Sequence, residues 1–77
     1  MSKINEDTLN SHIEYCIDEY VRLKRDRQMM RDKWFEGLSL KELCNKYNIS
    51  DTAVKKVIYG QGDKILYKAY SMSLKSV

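Results

Sequence analysis

Between Ser50 and Gly60 the chain reads SDTAVKKVIYG. Asp51, Thr52, Lys55, Lys56 and Tyr59 recur at helical intervals, with Ala53, Val54, Val57 and Ile58 between them. At helical pitch the polar set shares one side and the apolar set the other. Such a face carries a hydroxyl, two ammonium groups and a phenol. These groups suit phosphate oxygens and base edges. Thr52 can touch a thymine methyl or a base edge, and Lys55 can reach guanine acceptors or a phosphate. Lys56 and Tyr59 suit the nucleic-acid backbone. Ser39 and Lys41 stand at the head of an earlier helical run, where free backbone amides favour a phosphate. Ser50 and Asp51 stand at the head of the second run.

Other chemistry has little to work with. His12 is the lone histidine and is expected at the surface. Cys16 and Cys44 each fall inside an apolar stripe, without the paired spacing of a zinc site, and read as small buried residues. Glu14 and Asp18 share a helix face but read as solvated. There is no glycine-rich phosphate loop and no paired-carboxylate arrangement. No enzyme, metal or cofactor is expected.

The elements that must hold the polar face follow from periodicity. Leu9, Ile13, Cys16, Ile17, Tyr20, Val21 and Leu23 form one stripe, which predicts a helix from Thr8 to about Lys24. A second helix is expected from an Asp26 N-cap, through Met29, Met30, Trp34 and Phe35, to a left-handed Gly37. One uninterrupted helix from Thr8 to Glu36 is the alternative, because the charged residues between are tolerated in helices. At least one of Trp34 and Phe35 reads as core, with stacking on a base or a partner surface as the alternative, and Met29 and Met30 read as core or dimer contacts. Ser39 and Glu42 form a capping-box pattern ahead of a helix from Leu40 to Tyr47. Asn48 tolerates positive φ, and Ser50 caps a helix running to about Tyr59. GQGD, Gly60 to Asp63, is expected to interrupt that helix, and Asp63 to cap a last one through Ile65, Leu66, Ala69 and Tyr70. Residues 1–7 and 71–77 are expected to fray. The expected fold is all-α, with four to five short helices and a helix-turn-helix at about 39–59. It forms a single domain over 1–77, with an acidic N-terminal helix at 1–25 and a core at 26–70.

Four constraints converge on the helix-turn-helix. Cys44 supplies the small residue that lets two helices cross closely. Asn48 supplies the positive φ of the turn. Ile49 anchors the turn in the core, and Val54 packs the second helix on the first. The N-terminal part of that second helix would enter a major groove.

Composition sets outer bounds. Seventy-seven residues form one domain, which buries only about 60% of its unfolded surface. Proline is absent and glycine occurs three times, which favours helices joined by short turns. No apolar run reaches the roughly 20 residues of a membrane span, and MSKINEDTLN lacks the apolar core of a secretion signal. A cytoplasmic protein that does not enter the membrane is expected. The net charge of +3 is unevenly spread. Residues 1–21 carry one lysine against five acids, a net −4; residues 22–77 carry 13 basic and 6 acidic residues, a net +7. The basic part coincides with the helix-turn-helix, an electrostatic footprint for a polyanion.

The segment DRQMMRDKWFEGLSLKELCNKYNISDTAVKKVIYGQGDKIL, Asp26 to Leu66, resembles region 4 of bacterial sigma factors and related small helix-turn-helix regulators. WFEGLSLKEL and YNISDTAVKKVI carry the likeness, which covers just over half the chain. The resemblance implies transcription regulation through double-stranded DNA read by the helix Asp51 to Tyr59, in a bacterial nucleoid or phage-infected cell. It also implies contact with RNA polymerase. In this family the reading helix usually continues into a basic extension, where here Gly60 and Gly62 intervene, and lysines stand where arginines are common. The rival expectation is a protein-interaction module that binds RNA polymerase, a sigma factor or another regulator. For the acidic first helix three uses are open: packing on the helix-turn-helix, a homodimer contact, or a partner protein.

Overall fold

The structure, a computed structural model, describes residues 6–75, all but a few of them helical. The elements are α1 (Glu6–Tyr20), α2 (Lys24–Trp34), α3 (Leu40–Tyr47), α4 (Asp51–Lys55), a π-helical segment (Lys56–Gln61) and α5 (Gly62–Lys75). The segments expected to fray at 1–5 and 76–77 lie outside the described residues. The rest of that expectation is corrected: Glu6 and Asp7 open α1, and Ser71 to Lys75 complete α5, where Ser73 is fully buried.

α1 and α2 are separate helices. The last helical bond of α1 runs from the Val21 amide to the Ile17 carbonyl. Just past that end, the linker carbonyls of Val21 and Arg22 accept from the Arg27 guanidinium at 2.7 Å and 3.0 Å. These bonds satisfy the linker backbone where a continuous helix would have used amides of the next turn. The N-cap of α2 is Leu23, in extended conformation, and not Asp26. Asp26 sits in the first turn of α2, 2% exposed, paired with Arg25 at 3.1 Å and accepting from Gln61 Nε2 at 3.0 Å. α2 closes at Gly37, whose φ of +76° turns the chain so that the Leu38 amide reaches the Asp32 carbonyl.

The largest departure from expectation lies at GQGD. No break occurs there. α4, the π segment and α5 form one helical run of 25 residues, roughly 37 Å long at the usual rise. Its buried side is continuous through Val54, Val57, Ile58, Gly62, Ile65, Ala69 and Ser73. A π turn holds more residues than an α turn, so it absorbs the extra residue and keeps both halves facing one core. Gly62 is required by packing: a Cβ there would lie 3.0 Å from Trp34 Cζ2 and 3.3 Å from the Val57 carbonyl. The glycine thus admits the half-buried Trp34 indole from α2 against the long helix.

α1 lies antiparallel to α5. His12 Nδ1 donates to Ser73 Oγ at 2.8 Å, the Ser73 hydroxyl donates to Ala69 O, and Cys16 meets Met72. His12 is therefore a half-buried packing residue and not a surface one. The core joins Ile13, Cys16 and Ile17 of α1 to Met29 and Met30 of α2, Leu43 of α3 and the buried side of the long helix. Burial raises the Cys16 thiol pKa, with Lys68 opposing, and leaves it an inert apolar residue. Glu14 and Asp18 are not merely solvated; both face Arg31 of α2, Asp18 at 2.5 Å. The acidic first helix is thus tied to the rest of the domain.

Candidate nucleic-acid interface

The helix-turn-helix is built as its sequence demands. Ser39 caps α3 by accepting from the Glu42 amide at 3.1 Å, and Glu42 Oε1 accepts from the Ser39 amide at 3.0 Å. These bonds to Ser39 lower the Glu42 pKa. α3 ends at Asn48, whose φ of 53° and ψ of 50° place it in the left-handed region. The Ile49 amide closes the turn onto the Cys44 carbonyl at 3.2 Å. Ser50 then caps α4 by accepting from the Ala53 amide at 3.1 Å. Leu43 and Val54 are wholly buried, and Cys44, Tyr47 and Ile49 pack beside them. The apolar back of the second helix is consumed in this contact, so its polar front is fixed outward.

All eight residues expected at the interface are exposed: Ser39, Lys41, Ser50, Asp51, Thr52, Lys55, Lys56 and Tyr59. They differ in what remains free. The oxygens of Ser39 and Ser50 are engaged in capping, which leaves each hydroxyl hydrogen to donate outward. Lys55 is paired with Asp51 at 2.9 Å, and that hydrogen bond raises its pKa. Both partners are solvated, so the pair opens at little cost when a stronger anion arrives. Lys41 and Lys56 make no ion pair among the described residues. Tyr59, in the first turn of the π segment, is 52% exposed.

The position of this face depends on a buried polar cluster that sequence reasoning missed. Asp32 of α2 is 2% exposed. It accepts from Lys46 Nζ at 2.7 Å, Tyr47 Oη at 2.5 Å and Gln28 Nε2 at 3.1 Å. Burial pushes its pKa up, but the bonds from Lys46, Tyr47 and Gln28 outweigh that and hold it below the usual carboxylate range. The Tyr47 hydroxyl shifts upward, first through burial and then through Asp32. The cluster locks the C-terminal half of α3 to α2. No periodicity marks Asp32, since an acid in a polar-rich helix reads as surface.

A second feature also escaped the sequence. Lys64, Lys68 and Lys75 of α5 line a groove of about 550 Å³ with Tyr20 and Tyr67. The signal was present as lysines at i, i+4 and i+11, but the expected break at GQGD detached them from any framework. Among the described residues, no group of three His, Cys, Asp or Glu side chains could hold a metal ion, and no helix is long and apolar enough to cross a membrane. No protein-family model, curated protein or solved structure matches the chain.

Proposed function

We propose that this protein is a sequence-selective binder of double-stranded DNA that regulates transcription, and that it is not an enzyme. One observation carries the reading. The exposed row Thr52, Lys55, Lys56 and Tyr59 stands at the start of a 25-residue helical run, directly after a tight left-handed turn, with Val54, Val57 and Ile58 buried behind it. That arrangement offers a helix N-terminal half to a major groove without unpacking the domain. Lys41 and Lys56 would meet phosphates on either side. Lys55 would exchange Asp51 for a guanine edge, and Thr52 would lie against a neighbouring base. The likeness of residues 26–66 to sigma-factor region 4 supports the same target and adds RNA polymerase or a sigma factor as a partner. The setting it fits is the bacterial cytoplasm, at the nucleoid or during phage infection.

The test is selection from random duplex DNA with purified protein, followed by Lys55→Glu on the enriched site. An enriched motif is expected, with affinity falling about tenfold or more in the variant. Failure to enrich any motif with a folded protein refutes the reading.

One observation favours a second reading, a protein-interaction module on the same fold. No arginine stands on the presented face, and its central lysine is already balanced by Asp51. A mosaic of both signs also suits an acidic-and-basic protein surface. Capture of RNA polymerase or a sigma factor without sequence selectivity on DNA would decide for it.

A further inference from the structure

The face formed by α1 and α5 lies outside the proposed DNA contact. Two adjoining hollows on it share Tyr20, Lys64 and Lys68, and a third on the other side of Tyr20 lies between the α1–α2 linker, Asp26 and Gln61. The largest is floored by Tyr20, Tyr67 and Met72 and rimmed by Lys64, Lys68 and Lys75, with Asp63 at one end. Tyr67 is 74% exposed and Tyr20 51%. Lys64 and Lys75 form no ion pair among the described residues.

The complementary charge is carried by the neighbouring helix. α1 holds Glu6, Asp7, Glu14, Asp18 and Glu19 and no lysine or arginine. Glu14 and Asp18 are turned to Arg31, whereas Glu19 is exposed and makes no ion pair among the described residues. One turn before it stands Tyr15, 52% exposed. Tyr15 and Glu19, four residues apart, form a ridge with an aromatic knob and an acidic end. Each molecule therefore bears a basic-rimmed apolar groove and an acidic aromatic ridge on adjacent antiparallel helices. A two-fold axis brings each ridge into the other molecule's groove, as an isologous contact requires.

We propose that this face is a self-association surface for a second copy of the chain. The Tyr15–Glu19 ridge of one copy seats between Tyr20 and Tyr67 of the other, with Glu19 meeting Lys64 and Lys75. The four helices pack as a bundle. A nucleic-acid strand fits the groove less well. The Lys68 ammonium already lies over one face of the Tyr20 ring, 4.7 Å from its centroid, which leaves a base only the other face. The proposal concerns the contact itself and is independent of the DNA reading. Where both hold, the paired recognition helices read a palindromic site.

The test is analytical ultracentrifugation of the full chain across a concentration series, at low and high salt. A salt-weakened monomer–dimer equilibrium is expected. E19K and K64E/K75E should each weaken it at least fivefold, at exposed positions where circular dichroism will report an unchanged fold. An equimolar mixture of the two variants should form a heterodimer, because one contact regains opposite charges with their signs exchanged and the other keeps the original pairing of Glu19 with Lys64 and Lys75. A chain that stays monomeric throughout, or a dimer indifferent to both variants, overturns the proposal. So does a monomer in which K64E/K75E loses only nucleic-acid affinity, since the groove then serves a polyanion. A monomer that still selects a DNA motif refutes this contact alone, and a dimer that selects none refutes the DNA reading alone.

Discussion

Replacing Asp32 by Asn tests how the interface is held in place. The change preserves shape and removes the charge. Asp32 takes three hydrogen bonds, from Lys46, Tyr47 and Gln28, at 2% exposure. Hydrogen bonds to a charged group contribute about 1.5–3 kcal/mol each when their donors are desolvated. Here the Lys46 side chain is 49% exposed and Gln28 is exposed, so both regain water once released. Only the half-buried Tyr47 hydroxyl is left with a poorer partner. The loss is therefore about one full charged bond plus fractions of two others, roughly 3 kcal/mol. For a chain of 77 residues the total stability is about 4–11 kcal/mol, so this is a large share of it. At about 4–8 °C per kcal/mol the midpoint should fall by about 12–24 °C.

The pH dependence sharpens this test. The Asp32 pKa is lowered in the folded state. Its stabilising contribution is present in full above the unfolded pKa, about 3.9, and is lost as pH falls through the folded value. Thermal melts of both proteins by circular dichroism should show a wide gap at neutral pH that narrows below about pH 4. A midpoint shift under about 3 °C, or a gap that keeps its width into acid, refutes the view that Asp32 anchors α3 to α2.

Three further outcomes follow from local geometry. Gly62→Val should destabilise the fold by about 2 kcal/mol, because its first carbon already meets the Trp34 ring at 3.0 Å; urea unfolding with tryptophan fluorescence reads both effects. Asn48→Gly should leave stability equal or slightly raised, while Asn48→Ala should lower it by about 1 kcal/mol, since φ is 53° there; equal effects of the two would show that the turn is not strained. Ser50→Ala should cost about 1 kcal/mol in thermal unfolding by removing the acceptor for the Ala53 amide, and no loss would place the helix start elsewhere.

Much of the helix-turn-helix was legible because its determinants are local. A capping box, a residue that accepts positive φ and a second N-cap act within a few residues of themselves. The chain reads S-x-x-E and Y-N-I-S at the right places, and Ser39, Asn48 and Ser50 take those roles. Ile13, Cys16, Ile17 and Val21 of the first stripe and Val54, Val57 and Ile58 of the later one are likewise core, whereas Tyr20 and Leu23, read into the first stripe, are exposed.

The features that went unread depend on partners distant in sequence. Gly60 and Gly62 look like breakers by propensity, yet tertiary packing overrides a cost of about 1 kcal/mol each. At Gly62 the gain is the Trp34 contact, visible only once α2 crosses the long helix, whereas a Cβ at the exposed Gly60 would meet nothing. Asp26 looks like an N-cap until Gln61, 35 residues later, claims it from inside the fold. Asp32 looks solvated until α3 delivers Lys46 and Tyr47 to it. The all-helical class, the turn chemistry and the outward row from Thr52 to Tyr59 follow from local residue order. That this row begins an unbroken helix, that the acidic first helix lies along the far end of the same helix, and that a basic groove opens between them follow from packing alone. Backbone propensity is set within one turn, whereas burial and ion pairing are set by whichever residues the packed helices bring together.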